Sequence, residues 1–273
     1  MKKSKPENSP EKLLDRRTVL TGLVAGAAGG AAGMAIGYQH HDNLEVLKDE
    51  ISGAGSGRFD FHMRSRAIRR AHNQQTPEKI SSLKRKYKKQ SGTREQVWTL
   101  IEKMSQCIDL TDPTLYCTSQ LVHIQQILAE MDAKGVDDPD MHLIALLHDL
   151  GKVSYLNGEQ PENVFGKAAR IGEYEHGIGL DKVLFQFSHA EIIYLRVKDL
   201  VPDHVAWSLR YHNIKFKDAA PYMNDRDRRH ARNYLSPFRR FDNPTKSAFR
   251  VPEIDMSPYR QLIEKTFMNP IYF

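Results

Sequence analysis

The sequence predicts an all-α protein built as one folded domain. From Arg58 onward, apolar residues recur at helical spacing in one segment after another. Apolar/polar alternation and runs of Val, Ile and Thr, the marks of strands, are scarce. Neither a second core nor an internal repeat divides the 273 residues.

The amino terminus reads as an address rather than as fold. Residues 1–17 are polar and basic and end in Asp15, Arg16 and Arg17; Thr18 to Gly37 then runs for twenty residues without a charge. A basic region followed by an apolar one has the form of an export signal. The paired arginines and the mild, Gly/Ala-rich run resemble a twin-arginine signal. The expectation is therefore export by the twin-arginine machinery to a periplasmic or membrane-tethered location outside the cytoplasm. The apolar run is long enough to stay in the membrane, so residues 18–37 are a membrane contact if the signal is not cleaved, and no A-x-A site argues for cleavage. Residues 1–40 are set aside as signal or anchor. Residues 41–57, ending in "SGAGSG", read as a flexible linker, and 58–273 as the domain.

The net charge of +6 is unevenly spread. Residues 58–94 carry twelve Lys/Arg against two Asp/Glu, including "KRKYKK" from Lys84 to Lys89. No nucleic-acid-binding motif accompanies this block, so it reads as a solvated helix face, with no nucleic acid among the expected partners. The two cysteines, Cys107 and Cys117, are too few for a disulfide framework; they form either one bridge in an oxidising compartment or two buried thiols.

The helices follow in order. "TREQVWTLIEKMSQCI" opens at Thr93 with Glu and Gln near the third position, a capping-box pattern. "TSQLVHIQQILAEMDAKG" sets Leu121, Ile124, Ile127, Leu128 and Met131 on one face and stops at Gly135. "DPDMHLIALLHDLGKV" starts with Asp-Pro, and "LDKVLFQFSHAEIIYLRVKDL" reads as one long helix. "PDHVAWSLRYHNI" begins at Pro202, and "MSPYRQLIEKTF" closes the chain.

Four histidines, His123, His148, His189 and His212, sit on these apolar helices. One alone is more often a hydrogen-bonded core residue than a ligand. Four, together with the doublet His148-Asp149, point to a metal, since neutral imidazole escapes the cost of burying charge and a carboxylate can bridge two cations.

An adjacent His-Asp pair on helices resembles the core of the HD-class metal-dependent phosphohydrolases, whose metal places His123, His148, Asp149 and Asp242 can fill. The His-His-Glu and Gly-Tyr-Pro signatures of the cyclic-dinucleotide phosphodiesterases in that class are missing; this chain has "YHN". A closer resemblance covers about two thirds of the chain, roughly Thr93 to Phe273. "HLIALLHDLGKV", "HGIGLDKVLFQFSHAE", "LRYHNIKF", "FDNPTK" and "PEIDMSPYRQLIEKTFMNPIYF" resemble the myo-inositol oxygenase family, as does the interval from His123 to His148. The resemblance implies a single HD-type helical domain enclosing a mixed-valent Fe(II)/Fe(III) pair. His123, His148, Asp149 and Asp242 would hold one iron; His189, His212 and the bridging Asp149 the other. It also implies O2 as co-substrate and ring-cleaving oxidation of a cyclic polyol, myo-inositol to D-glucuronate.

By the same resemblance, Lys152 is a catalytic contact to substrate and oxyanion, placed one turn after His148 on the same helix face, and Lys246 is a second such lysine. Asp109 and Thr111 in "DLTDP", Gly166, Lys167 and Asn213 fall at the remaining substrate positions. Lys167 replaces a family aspartate and Asn213 a serine. That charge reversal leaves the polyol open and admits an acidic or phosphorylated one. The family's amino-terminal arginine contact aligns only loosely with Arg58. The protein is expected to act as a monomer. The alternative reading is a metal-dependent phosphohydrolase or phosphodiesterase with Lys152, Lys167 and Lys246 on phosphate; a non-catalytic sensor is disfavoured because all six ligand positions are filled.

Overall fold

Helices form where the sequence supplies both an apolar stripe and a start signal, and most of the chain between Ser56 and Phe273 satisfies this. The structure is a computed structural model that describes residues 56–116 and 118–273. The export-signal reading of residues 1–40, most of the linker and the state of Cys117 lie outside the described residues. Cys107 is a buried free thiol, and burial pushes it up to about 12. Among the described residues no helix is long and apolar enough to cross a membrane.

Helix α1 (Ser56–Asn73) buries Phe61, Ser65, Ile68 and His72 along one stripe and exposes its arginines. Helix α2 (Pro77–Lys88) starts on Thr76, whose side chain accepts from the Lys79 amide; Ile80, Leu83 and Tyr87 face inward, and Arg85, Lys86 and Lys88 face solvent. Helix α3 (Val97–Lys103) starts later than the sequence suggested. Thr93 does not cap it, because Arg94 and Glu95 pair antiparallel with Tyr272 and Ile271 as a two-stranded sheet, β1 (Arg94–Glu95) and β2 (Ile271–Tyr272). Tertiary pairing with the far end of the chain overrides the local capping pattern.

Helix α4 (Gln120–Ala133) is capped by Ser119 and closed by Gly135 at φ 67°. Helix α5 (Pro139–Leu147) is capped by Asp138, with Pro139 in its first turn, and is apolar all round, as its central burial requires. The α-helix ends there: His148 is its C-cap, and Leu150–Lys152 forms a 3₁₀ turn before a short helical turn, Val153–Leu156. Lys152 is thus not on a continuous face with His148; the tightened turn brings it instead to Asp149, three residues back.

The expected helix from Leu180 to Leu200 is also shorter. Only α6 (His189–Val197) is α-helical. Leu180–Lys182 forms only a 3₁₀ turn, and the stretch after it is extended because it pairs with residues 169–171: the Ile171 amide donates to Leu184 O and the Gln186 amide to Ala169 O, each within 2.9 Å. Helix α7 (Asp203–Tyr211) follows Pro202. Helix α8 (Asp225–His230) opens with a capping box between Asn224 and Asp227 and runs through a π turn, Ala231–Leu235, into α9 (Ser236–Thr245). Helix α10 (Ser257–Thr266) lies near the end.

Helix α6 packs on α7 and α2, and α9 packs on α4 and α5. The buried surfaces of these helices join in one apolar cluster that includes Ile124, Leu128, Leu146, Leu147, Ile193, Leu209 and Phe238. Each such side chain contributes on the order of 1.5–3 kcal/mol when fully buried.

Candidate metal centre

Inside this apolar wall lies a cluster of buried polar groups. His123 comes from α4, His148 and Asp149 from the end of α5, His189 from the first turn of α6, His212 from the C-cap of α7 and Asp242 from α9; all are buried. Gly151 lets the pieces meet, since a Cβ there would lie 2.1 Å from the His189 carbonyl oxygen. The 3₁₀ turn after Asp149 therefore rests directly on the backbone of α6.

The hydrogen bonds set the donor chemistry. His148 donates from Nδ1 to Ala145 O at 2.9 Å, His189 to Val164 O at 2.8 Å and His212 to Leu209 O at 2.8 Å. With each Nδ1–H committed to a carbonyl, Nε2 is the nitrogen each ring turns inward, as a lone pair when the ring is neutral. Those lone pairs converge on the carboxylate of Asp149. His189 Nε2 lies 3.1 Å and His212 Nε2 3.6 Å from Oδ1, while His148 Nε2 lies 3.3 Å from Oδ2. His189 Nε2 and His212 Nε2 are 3.2 Å apart. His148 Nε2 is buried without a hydrogen-bond partner among the described residues, as is His123 Nδ1. Acceptors facing acceptors in a dry interior call for a positive charge between them, which a metal ion or, at His148, a proton can supply.

Two groups of donors each fall within 4.8 Å: His123, His148 and Asp149, and Asp149, His189 and His212. Asp149 belongs to both, with a different oxygen toward each side. Asp242 adjoins the first group through Oδ1, 3.1 Å from His123 Nε2. Donors adjacent in the shell of a six-coordinate ion with bonds near 2.1 Å are separated by about 3 Å. The observed spacings fit that requirement, and imidazole with carboxylate suits a transition metal.

Two lysines complete the charge balance. Lys152 is buried and its ammonium donates to Gln120 Oε1 at 2.8 Å, Asp149 Oδ2 at 2.9 Å and Asp109 Oδ2 at 2.8 Å. Lys246 donates to Asp112 Oδ2 at 3.0 Å and lies 3.6 Å from Asp242 Oδ1. Burial works against both ammoniums, yet the facing carboxylates win and hold Lys152 and Lys246 above the ordinary lysine value. Asp149 and Asp242 are held well below the usual carboxylate range: burial opposes this, but Lys152 and His148 outweigh it at the first, His123 and Lys246 at the second. Burial lowers His212 to about 4, so it stays neutral, as a ligand must.

The other expected contacts divide. Asp109 and Thr111 lie beside Lys152, with the Thr111 amide and hydroxyl both donating to Asp109 Oδ1, at 2.8 and 2.7 Å. Gly166 (φ 104°) and Asn213 are joined by a 2.7 Å bond from Asn213 Nδ2 to Gly166 O. The Lys167 side chain is exposed, apart from the buried cluster. The side chain of Arg58 is outside those described.

Some contributors escaped the sequence reading. Gln120 and Asp112 partner the two lysines. Arg239 donates to His212 O at 2.8 Å and Ile214 O at 3.0 Å, fixing the end of α7. Buried His72 places Nδ1 2.9 Å from Glu162 O and Nε2 3.1 Å from Lys167 O, strapping the segment that carries Gly166. Asp112 lies within the quoted "DLTDP", but nothing local marks a carboxylate whose partner is 134 residues away.

A family model described as myo-inositol oxygenase matches residues 63–172 and 159–273. A probable inositol oxygenase of Oryza sativa subsp. japonica is 29% identical over 241 residues, covering 72% of this chain and 76% of the relative. Inositol oxygenase 1 of Arabidopsis thaliana is 28% identical over 228 residues, covering 69% and 72%. An inositol oxygenase of Bos taurus is 26% identical over 214 residues, covering 64% and 74%. The helical scaffold and its converging donors define a helical metal enzyme. The chain belongs to the myo-inositol oxygenase family, and with it to the oxidoreductases. This disfavours the phosphohydrolase alternative.

Proposed function

We propose that the protein is a di-iron oxygenase that cleaves the ring of a cyclic polyol with O2, converting myo-inositol to D-glucuronate. The observation that carries this is the sharing of Asp149 between two groups of buried donors. His123, His148, Asp149 and Asp242 would hold one iron; Asp149, His189 and His212 the other. When bound, such a pair would supply Lewis acidity toward a vicinal diol and activation of O2, while the four electrons that reduce O2 come from the polyol.

The chain's own residues do the rest. Lys246, paired with Asp112, presents an ammonium donor beside the cluster, where a polyol oxygen that loses its proton gains negative charge, and Lys152, whose three N–H groups go to Gln120, Asp149 and Asp109, adds positive charge there. Asp109 offers an acceptor to a hydroxyl hydrogen. The Gly166 backbone and the Asn213 side chain, tied to each other, form a second wall. The apolar collar around the cluster excludes water and strengthens each of these interactions.

Oxygen consumption by the iron-loaded chain over a panel of inositols and sugar acids tests the reading. Stoichiometric O2 uptake with formation of a uronic acid is the expected result. Turnover of a phosphodiester without O2 uptake would sink it. Partial oxidation of anaerobically loaded iron should give a coupled mixed-valent spin signal that inositol perturbs; two uncoupled ions would argue against the shared aspartate.

Export by the twin-arginine route, to a periplasmic or membrane-tethered site, belongs to the same proposal and rests on Arg16, Arg17 and the uncharged run to Gly37. Replacing both arginines by lysine should retain the protein in the cytoplasm, and undiminished export would refute the signal.

A further inference from the structure

The structure assigns Asp112 as a positioning residue, which acts through Lys246 to keep the metal-facing oxygen of Asp242 available. This rests on the metal-centre reading above and names a residue that reading does not use. Lys246 Nζ lies 3.0 Å from Asp112 Oδ2 and 3.6 Å from Asp242 Oδ1. The latter is the oxygen that meets His123 Nε2 at 3.1 Å. Without Asp112, the ammonium would turn to the more buried carboxylate beside it, that of Asp242, whose side chain is 9% exposed against 18% for Asp112. It would then compete there with any cation. Asp112 draws the ammonium the other way.

The surroundings show that Asp112 is built for this. Its second oxygen, Oδ1, accepts from the Thr114 amide at 2.9 Å and starts the 3₁₀ turn Pro113–Leu115, so the carboxylate cannot swing away. The Asp112 amide donates to Asp109 O at 3.2 Å, and Arg69 on α1 donates to Thr111 O, which anchors the loop from outside. The backbone after Lys246 is clamped in turn: Gln126 on α4 donates to Ser247 O at 2.7 Å and accepts from the Ser247 amide at 3.2 Å. Both ends of the Asp112–Lys246 bond are therefore fixed. The same loop repeats the device, since Asp109 shares Lys152 with Asp149. Each lysine thus spans one loop carboxylate and one aspartate of the metal cluster.

The two oxygens of Asp112 separate a positioning role from a structural one. Asp112→Asn keeps an acceptor for the Thr114 amide but turns an NH2 group toward the ammonium. Four full-length proteins make a cycle: the parent, Asp112→Asn, Lys246→Met and the double variant. Zinc affinity, measured by competition with a chromophoric chelator, is read beside inositol turnover of the iron-loaded proteins. Asp112→Asn should melt with the parent yet bind zinc about tenfold more weakly, and in the Lys246→Met background it should have no further effect. Equal loss in both backgrounds, or parental zinc affinity in Asp112→Asn, would overturn the assignment. Lys246→Gln replaces Lys246→Met if the latter does not fold. If the parent fails to oxidise inositol, the proposed reaction falls, while the zinc cycle still decides the role of Asp112.

Discussion

The two sides of Asp149 are built differently. On one side stand His189 and His212, imidazoles whose rings are locked by backbone carbonyls, with the end of α7 pinned by Arg239. On the other stand His148, His123 and Asp242, with a second carboxylate and a hydrogen-bonded lysine close by. The first side is set by geometry, the second by charge. An ion of higher charge fits better where two carboxylates compensate it, and one of lower charge fits the imidazole side. On the proposed di-iron reading, such a cluster would prepare two unlike ions with one shared residue.

The largest expected effect removes what the sides share. Asp149→Asn should reduce bound metal from two equivalents to less than one, by elemental analysis after loading and desalting; two retained equivalents would show that neither side depends on the bridge. Next come variants of single sides. His212→Gln and Asp242→Asn should each retain about one equivalent, but only Asp242→Asn should favour divalent over trivalent ions at what remains, read by competition between Zn²⁺ and Ga³⁺. Identical preferences in the two variants would erase the asymmetry.

A pH titration should have an intermediate effect. Burial lowers His212 to about 4, from 6.5 in the unfolded chain. Between those values the unfolded chain binds the proton and the folded one does not, so His212 contributes stability that is full above about 6.5 and is lost as pH falls toward 4. The melting temperature of the metal-free protein should fall over that window, and zinc affinity with it, because the proton and the metal seek the same Nε2. His148 works oppositely: burial is outweighed by Asp149, which raises its pKa, so its contribution is lost as pH rises through that raised value. His212→Gln should flatten the acid limb. The smallest effect is expected from Arg239→Met. Loss of its bonds at the end of α7 should lower the melting temperature by a few degrees and leave the metal count at two.

The all-α class was readable because apolar residues at helical spacing need no partner to be recognised, and the start of α5 because Asp138 and Pro139 act locally. The donors were readable because histidines on apolar faces demand an explanation and because separated blocks resemble one family. What failed was local pattern opposed by distant pairing. Thr93 looked like a cap until β2 claimed its neighbours, and the segment around Leu184 to Gln186 looked helical until residues 169–171 claimed it. Lys152 lies beside Asp149 by another route than the expected helix face, since the helix ends at His148 and a 3₁₀ turn delivers it there. Asp112, Gln120 and Arg239 were not readable because each matters only through a side chain or carbonyl remote in sequence.

The π turn at Ala231–Leu235 has a consequence for heredity. A helix advances by about 100° per residue, and a π turn absorbs one extra residue in a single wider turn, so the helices on either side keep nearly the phase of an α-helix one residue shorter. Asp242 and Lys246 lie downstream of that turn. Deleting one codon within it should leave both side chains near their present neighbours, whereas deleting one between Phe238 and Phe241 should rotate both by about 100°. Gene copies that lost a residue from that α-helical segment would encode folded but silent proteins, distinguishable by its length even where all six clustered residues are retained.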